Sequence, residues 1–374
     1  MGAMNELLNR TVVGDLARRL DGVAPGRDLS ALAAITSDRL EPLSLRERTD
    51  LVSQALLTAL PDDYRAAAAI VRGLLVDPSF QGWAVWPVGE TVTTLALADA
   101  GTDAFDDALA LMAELTPRLT SEFPIRRLLE ADLGRALAVV LGWTGHPDEH
   151  VRRLASEGTR SYLPWAIRVR ALLAHPAATV PILDALYRDP SDYVRRSVAN
   201  HLNDLSRQDP ELVVATAGRW LADPAPTTRT VVRHGLRTLV KKGHPGALHL
   251  LGFAPAEVTV GAVEFEAAVI DFPGELAFAF TVANSGSAPA DIAVDYVVHY
   301  RKSDGRLAAK VFKLATRHLA AGEKADFTKR HALRQMTTRV HYPGVHALEV
   351  QVNGEGYGLA EFEVRFQDQD GRTG

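Results

Sequence analysis

From Leu7 to about Leu251 apolar residues recur at spacings of three and four, as in Leu51, Ala55, Leu56 and Leu60, the signature of amphipathic helices. Prolines and Asp-Pro pairs break the pattern every one or two helices, so this part of the chain is predicted to be an α-solenoid of HEAT-like repeats. A proline with an arginine five residues on marks the phase: Pro147 with Arg152, Pro190 with Arg195, and Pro224 with Arg229, at intervals of 43 and 34 residues. Proline suits the first turn of a helix, where its missing N–H is not needed, so each arginine is expected at an equivalent point of its repeat. Equivalent points line up along one surface of a solenoid, and such a row suits a phosphate backbone. The same phrasing also caps and pairs helices in repeats of every function, and the spacing alone does not choose.

After Gly252 the period changes to two. Val258–Val260, Leu276–Val282, Asp295–Tyr300, Leu348–Val352 and Ala360–Val364 alternate as strands, and Asn284-Ser285-Gly286-Ser287, Ser303-Asp304-Gly305 and Asn353-Gly354-Glu355-Gly356 read as turns. About seven short strands in roughly 120 residues predict an immunoglobulin-like β-sandwich. The expected architecture is therefore multidomain, α then β: HEAT-like repeats over residues 5–252 and a sandwich over 253–369.

Composition narrows the classes. The chain has 374 residues, 47% hydrophobic and 23% charged, which is globular composition and too long for one ordinary core. No apolar run approaches the ~18 residues of a membrane span, and no basic-then-apolar leader opens the chain, so a cytoplasmic protein is expected. Met1-Gly2-Ala3 ahead of Met4 reads as a cloning remnant. With no cysteine, disulfides, thiolate nucleophiles and cysteine zinc ligands are excluded. The 12 histidines show no close pair at helical ligand spacing and no glycine-rich phosphate loop is present, so neither a metal nor a nucleotide cofactor is expected.

The net charge of −5 is unevenly spread. Residues 1–125 carry 10 basic against 18 acidic side chains, residues 126–243 carry 18 against 12, and residues 301–339 carry 11 against 3. Two basic stretches on a mildly acidic chain fit a polyanion as partner, although solvated helix faces carry arginines too.

Candidate chemistry is densest in Ser156-Glu157-Gly158-Thr159-Arg160-Ser161-Tyr162-Leu163-Pro164-Trp165. A helix entered near Pro147, with Val151, Leu154 and Ala155 on its apolar face, places Glu157 near its C-terminus. The dipole there disfavours a carboxylate, which suggests a use or a paired arginine. Read alone, Glu157 and Arg160 are equally a surface ion pair, and Trp165 a hydrophobic anchor. Ser121-Glu122-Phe123-Pro124-Ile125-Arg126 and Asn200-His201-Leu202-Asn203-Asp204-Leu205 each lie about one repeat away, so Glu122, Glu157 and Asp204 are placed to converge on one wall. Glu122 as a first-turn acid and Asp204 as a cap are the plainer alternatives.

Taken together, Ser156-Glu157-Gly158-Thr159-Arg160 with Leu163-Pro164-Trp165, Ser121-Glu122-Phe123 with Ile125-Arg126, Trp83 to Trp86-Pro87, Ser197 to Asp204, and Arg233-His234 with Leu239 to Pro245 resemble the AlkC branch of the HEAT-like-repeat alkylpurine DNA glycosylases over about residues 5–252. The tail resembles the extra immunoglobulin-like domain of one AlkC subgroup. Arg127 stands where that branch leads one to expect proline, and Ser161-Tyr162 where it leads one to expect a more basic pair.

The resemblance implies monofunctional excision of cationic bases, N3-methyladenine or N3-methylcytosine, from duplex DNA by a monomer without cofactor. A base that already bears positive charge is a good leaving group, so a carboxylate that stabilises the oxocarbenium-like sugar is sufficient. Glu157 is assigned that role, with Trp165 packing on the sugar or base, a cation–π contact worth about 1–2 kcal/mol when desolvated. Glu122 and Asp204 are secondary acids. Arg126, Arg152, Arg153, Arg160, Arg195, Arg196, Arg229, Arg233, Lys241 and Lys242 are assigned to DNA, with Asn200, His201 and Asn203 on the rim. No helix-hairpin-glycine signature is apparent, so access by bending the duplex is expected. The competing reading is a non-catalytic HEAT-repeat scaffold or DNA-binding module.

Overall fold

The computed structural model describes residues 6–99, 101–335 and 340–366; the expected cloning remnant, the last four positions of the basic stretch and residues 367–369 of the expected sandwich lie outside them. Among the described residues the chain forms 17 α-helices followed by nine β-strands. Two compact units partition it: Met1–Leu212 with Pro224–Gly235, and Val213–Asp223 with Leu236–Gly374. No helix is long and apolar enough to cross a membrane.

The first unit is a HEAT-like solenoid of two helix rows. Helices Arg10–Val23, Tyr64–Leu75, Thr102–Leu115, Leu133–Gly142 and Val180–Leu186 pack in sequence along one row. Helices Leu45–Ala59, Val85–Ala98, Ile125–Ala131, Glu149–Glu157, Asp192–Leu205 and Thr228–Gly235 form the other. Helix starts are fixed locally. Asn9, Asp63, Asp132 and Asp148 accept backbone N–H bonds as N-caps, and Ser44 with Glu47 closes a capping box. Contrary to the sequence expectation, Pro147 and Pro190 do not occupy the first helical turn. They precede the cap positions Asp148 and Ser191, where fixed φ steers the chain into the cap.

The second unit carries the sandwich. One sheet orders β1 (Val258–Val260), β4 (Gly274–Asn284) and β2 (Glu264–Phe265), with β7 (Lys324–Leu333) also paired to β4. The other orders β3 (Val269–Phe272), β9 (Glu355–Phe366), β8 (Gly344–Val352), β5 (Ala290–Arg301) and β6 (Leu307–Leu319). Leu276, Phe278, Phe280 and Val282 of β4 face Val294, Tyr296, Val298 and Tyr300 of β5 in the core between them. Asn353 and Gly354 join β8 to β9 as a two-residue turn with φ of 48° and 88°, the type I′ geometry that Asn-Gly favours. A side chain at Gly354 would meet the Gly243 carbonyl at 2.3 Å, so this hairpin packs backbone to backbone on the segment before helix Pro245–Leu250.

Candidate active site

Three carboxylates come together on the second helix row. Glu157 ends helix Glu149–Glu157, Asp204 is the penultimate residue of helix Asp192–Leu205, and Glu122 lies in the turn that enters helix Ile125–Ala131. They are 6%, 4% and 9% exposed, which removes the surface-pair alternative for Glu157. Two arginines thread between them. Arg153 pairs with Glu122 and approaches Glu157 at 3.4 Å. Arg160 donates from Nη1 to Glu157 at 2.6 Å and from Nε to Asp204 at 2.9 Å. Ser197 donates to the second oxygen of Glu157 at 2.6 Å, and Thr120 donates to Glu122 at 3.0 Å. The Tyr193 ring lies 5.2 Å from the Arg153 guanidinium.

Helical spacing explains the convergence. Arg153 and Glu157 are four residues apart, and Ser197 and Asp204 seven, so each pair shares a face. The C-terminal dipole that opposes Glu157 is offset by two guanidinium contacts. A side chain at Gly158 would meet Ile125 Cγ2 at 3.0 Å, so the end of the Glu157 helix sits directly on the Ile125–Ala131 helix. Three carboxylates and two guanidiniums alternate along this row, and the charge of the buried Arg126 behind it also acts on Glu122 and Asp204, all in a largely dry setting where fixed charges act more strongly than in water. Burial opposes the Arg160 charge, but the Asp204 hydrogen bond and the Glu157 charge outweigh it and raise its pKa.

Several residues assigned to DNA from sequence do other work. Arg126 is fully buried. Its Nε donates to the Ile167 carbonyl at 2.6 Å and its Nη1 to those of Gly158 and Arg160 at 3.0 and 2.8 Å, so it fixes the loop behind the acids and reaches no phosphate. Burial lowers its pKa to about 10, which still leaves it charged at neutral pH. Arg153 and Arg160 lie between acids, as above. Arg152 and Arg195 do occupy equivalent positions, as ties within the fold: Arg152 donates to the His146 and Pro147 carbonyls and to Asp189, and Arg195 to the Asp189 and Pro190 carbonyls. Arg229 does not repeat this, because its helix starts four residues beyond Pro224 and its side chain is exposed. His201 is not on a rim. It is fully buried, with Nδ1 2.9 Å from the Ser156 carbonyl and Nε2 3.1 Å from the Thr179 hydroxyl. A carbonyl only accepts, so Nδ1 carries the proton, and burial lowers the pKa to about 3.

Comparison with known proteins places this arrangement. Residues 259–366 match the family described as "Uncharacterised protein YhaZ, C-terminal Ig-like domain". The uncharacterised protein YhaZ of Bacillus subtilis is 32% identical over 368 residues, 97% of this chain and all of that one. The alkylpurine DNA glycosylase AlkC of Pseudomonas fluorescens, solved bound to DNA containing an abasic-site analogue, superposes with a TM-score of 0.80 at 37% identity, over 98% of this chain and 99% of that one. The chain belongs to the AlkC family.

Within this AlkC-family chain, Trp165 is 69% exposed and held at φ 62°, a left-handed conformation that a bulky residue adopts only under constraint. Arg196 is exposed and paired with Asp192 at 2.8 Å; Arg233, Lys241 and Lys242 are exposed. Asn200 holds His234 at 2.9 Å, and Asn203 is buried. Arg127, where the AlkC branch leads one to expect proline, donates to Thr94 at 2.5 Å and ties its helix to Val85–Ala98. Sequence reasoning left Ser197 and Thr120 unassigned. The seven-residue spacing of Ser197 to Asp204 was the available signal for the first; Thr120 has none, since it precedes its helix. It also left aside buried Glu90, which accepts from Trp86 Nε1 and Arg46, each at 3.1 Å, while Trp86 stacks on Phe123 at 4.3 Å beside Glu122.

Proposed function

We propose that this chain is a monofunctional DNA glycosylase that hydrolyses the N-glycosidic bond of cationic alkylated bases, N3-methyladenine and N3-methylcytosine, in duplex DNA and leaves an abasic site. The observation that carries this reading is the buried row Glu122–Arg153–Glu157–Arg160–Asp204, in which Arg160 and Ser197 hold both oxygens of Glu157 in place. Its membership in the AlkC family supports the same reading.

The C1′–N bond breaks with its electron pair going to the base, which leaves neutral, while the sugar takes up positive charge. Water then adds at C1′ and gives up a proton. Glu157 faces the sugar, its orientation fixed by Ser197 and Arg160, and stabilises the developing cation; fixed electrostatics of this kind carry much of the rate enhancement in many enzymes. Glu122 and Asp204 shape the field and hold the water, and Trp165 packs against the sugar or the cationic base. Arg196, Arg229, Arg233, Lys241 and Lys242 contact phosphates, with Asn200 and Asn203 at the edge of the site. The protein acts as a cytoplasmic monomer on a bent duplex, without a cofactor.

The test is incubation of the purified protein with duplexes bearing a single N3-methyladenine or N3-methylcytosine. Release of free base with an abasic strand that stays uncut until treated with alkali is the expected result. Strands that keep their methylated base after prolonged incubation, and so stay uncut on alkali treatment, overturn the reading.

A further inference from the structure

The acid row continues past Asp204 into a feature that the glycosylase reading has not used. Arg160 and Asp204 are joined at 2.9 Å, and two and three residues further along their segments stand Tyr162 and Arg207. The Arg207 guanidinium carbon lies 4.6 Å from the centroid of the Tyr162 ring, and that of Arg168 lies 5.1 Å from the same centroid. One phenol ring therefore holds two guanidiniums, which the triangle inequality keeps within roughly 10 Å of one another. We infer that Tyr162, Arg168 and Arg207 form a phosphate clamp, which takes the DNA backbone at the edge of the acid row.

Three observations lead there. Both arginine side chains are exposed, and among the described residues neither guanidinium is in an ion pair, whereas Arg152, Arg153, Arg160 and Arg196 all are. Two unneutralised cations gathered on one ring repel each other modestly at this distance in solvent, and a phosphodiester placed between them removes that repulsion. Both are also held in place. Arg168 donates from Nη1 to the Leu163 carbonyl at 3.1 Å, and Arg207 follows the end of helix Asp192–Leu205, where the backbone dipole favours a cation. The ring contacts restrict the remaining side-chain freedom, so less order has to be imposed when an anion binds. Finally, the loop between Arg160 and Arg168 carries the exposed Trp165 in its left-handed conformation, so the clamp and that ring are presented by one short segment. A strand gripped at Arg168 and Arg207 is thereby brought to the residues that the proposed chemistry requires. The positive charge missing from Ser161-Tyr162 is supplied from elsewhere in the fold.

The clamp rests on the glycosylase reading for its ligand, and the experiment separates the two. Binding of a labelled duplex carrying one abasic-site analogue is measured across a salt series for wild type, for Arg168→Gln/Arg207→Gln and for Arg168→Lys/Arg207→Lys, with base release by the wild type assayed on the same preparation. Each phosphate that goes unneutralised lowers the slope of log K against log salt by about 0.9, which weakens binding about eightfold at 0.1 M salt. The Gln pair is expected to lose one to two such units, and the Lys pair, which keeps the charge, to retain most of the slope. A Gln pair with wild-type affinity and slope overturns the clamp, whatever the base-release result. Absence of base release by the wild type overturns the glycosylase reading and leaves the slope to decide the clamp. A slope reduced equally in the Gln and Lys pairs also overturns it, because ring packing rather than charge would then be responsible.

Discussion

Arg126 gives the sharpest test, because the three hydrogen bonds of this fully buried arginine all go to backbone carbonyls. Arg126→Met keeps length and apolar bulk and removes three charge-assisted hydrogen bonds, each worth about 1.5–3 kcal/mol. Against that, the depression of its pKa to about 10 by burial corresponds to about 3 kcal/mol that the methionine no longer bears. The net expectation is destabilisation by roughly 2–5 kcal/mol. Two of the carbonyls affected belong to Gly158, next to Glu157, and to Arg160, which bridges Glu157 and Asp204, so base release should also fall well below the melting temperature. Urea unfolding followed by tryptophan fluorescence and by far-UV circular dichroism measures the first effect; two probes are needed because two units need not unfold in one step. Arg126→Lys, whose single ammonium does not span three carbonyls, should fall between the two. A methionine variant within about 0.5 kcal/mol of wild type, the range of ordinary surface substitutions, refutes the reasoning.

Other consequences follow from the same geometry. His201 has its pKa lowered to about 3 by burial, so its neutral form contributes fully above pH 6.5, and folding loses about 1.4 kcal/mol per unit as the pH falls from there towards 3. His201→Gln, which can still donate to Ser156 and accept from Thr179, should flatten the melting temperature against pH across that window; equal slopes would contradict it. Trp165→Gly relieves the φ 62° conformation and should stabilise the protein by about 1 kcal/mol while abolishing base release, and a destabilised variant would show that the ring packs in the fold. Arg152→Met and Arg195→Met should lower stability by about 1–3 kcal/mol and leave the salt slope of DNA binding unchanged, since their guanidiniums tie Pro147 and Pro190 to the helices they precede. A reduced slope would restore the phosphate role first expected of them.

How much of this was legible in the letters depended on how local the cause was. Helices and the β4, β5, β8 and β9 strands declared themselves through period, and Asn353-Gly354 through turn chemistry. β6 and β7 did not, because Lys310, Lys313, Arg317 and Lys329 on exposed positions obscure the alternation, and β2 and β3 are too short to show one. The three acids were found by their places at helix ends about a repeat apart, and the burial that makes them a candidate site appears only when helices pack. The arginines were the least readable. Arg126, Arg152, Arg160 and Arg168 carry the same side chain, and what separates a buried carbonyl tie, a helix tie, an acid bridge and a clamp is which neighbour the fold supplies. Arginine is rarely fully buried, so composition pointed Arg126 outward.

The most direct measurement is single-turnover base release by wild type and Glu157→Gln, with DNA affinity measured beside it. The substitution suits the site. The Gln oxygen can still accept from Arg160, its amide can donate to Ser197, and Ser197 can turn to Ser156, 3.0 Å away, so the fold should be retained. Loss of the carboxylate charge facing the sugar is predicted to slow release by about 10²–10³-fold, the range for removing one preorganised electrostatic group, with affinity for the duplex unchanged or tighter. Release at the wild-type rate by a folded Glu157→Gln protein would contradict the central claim that this carboxylate stabilises the departing sugar's charge.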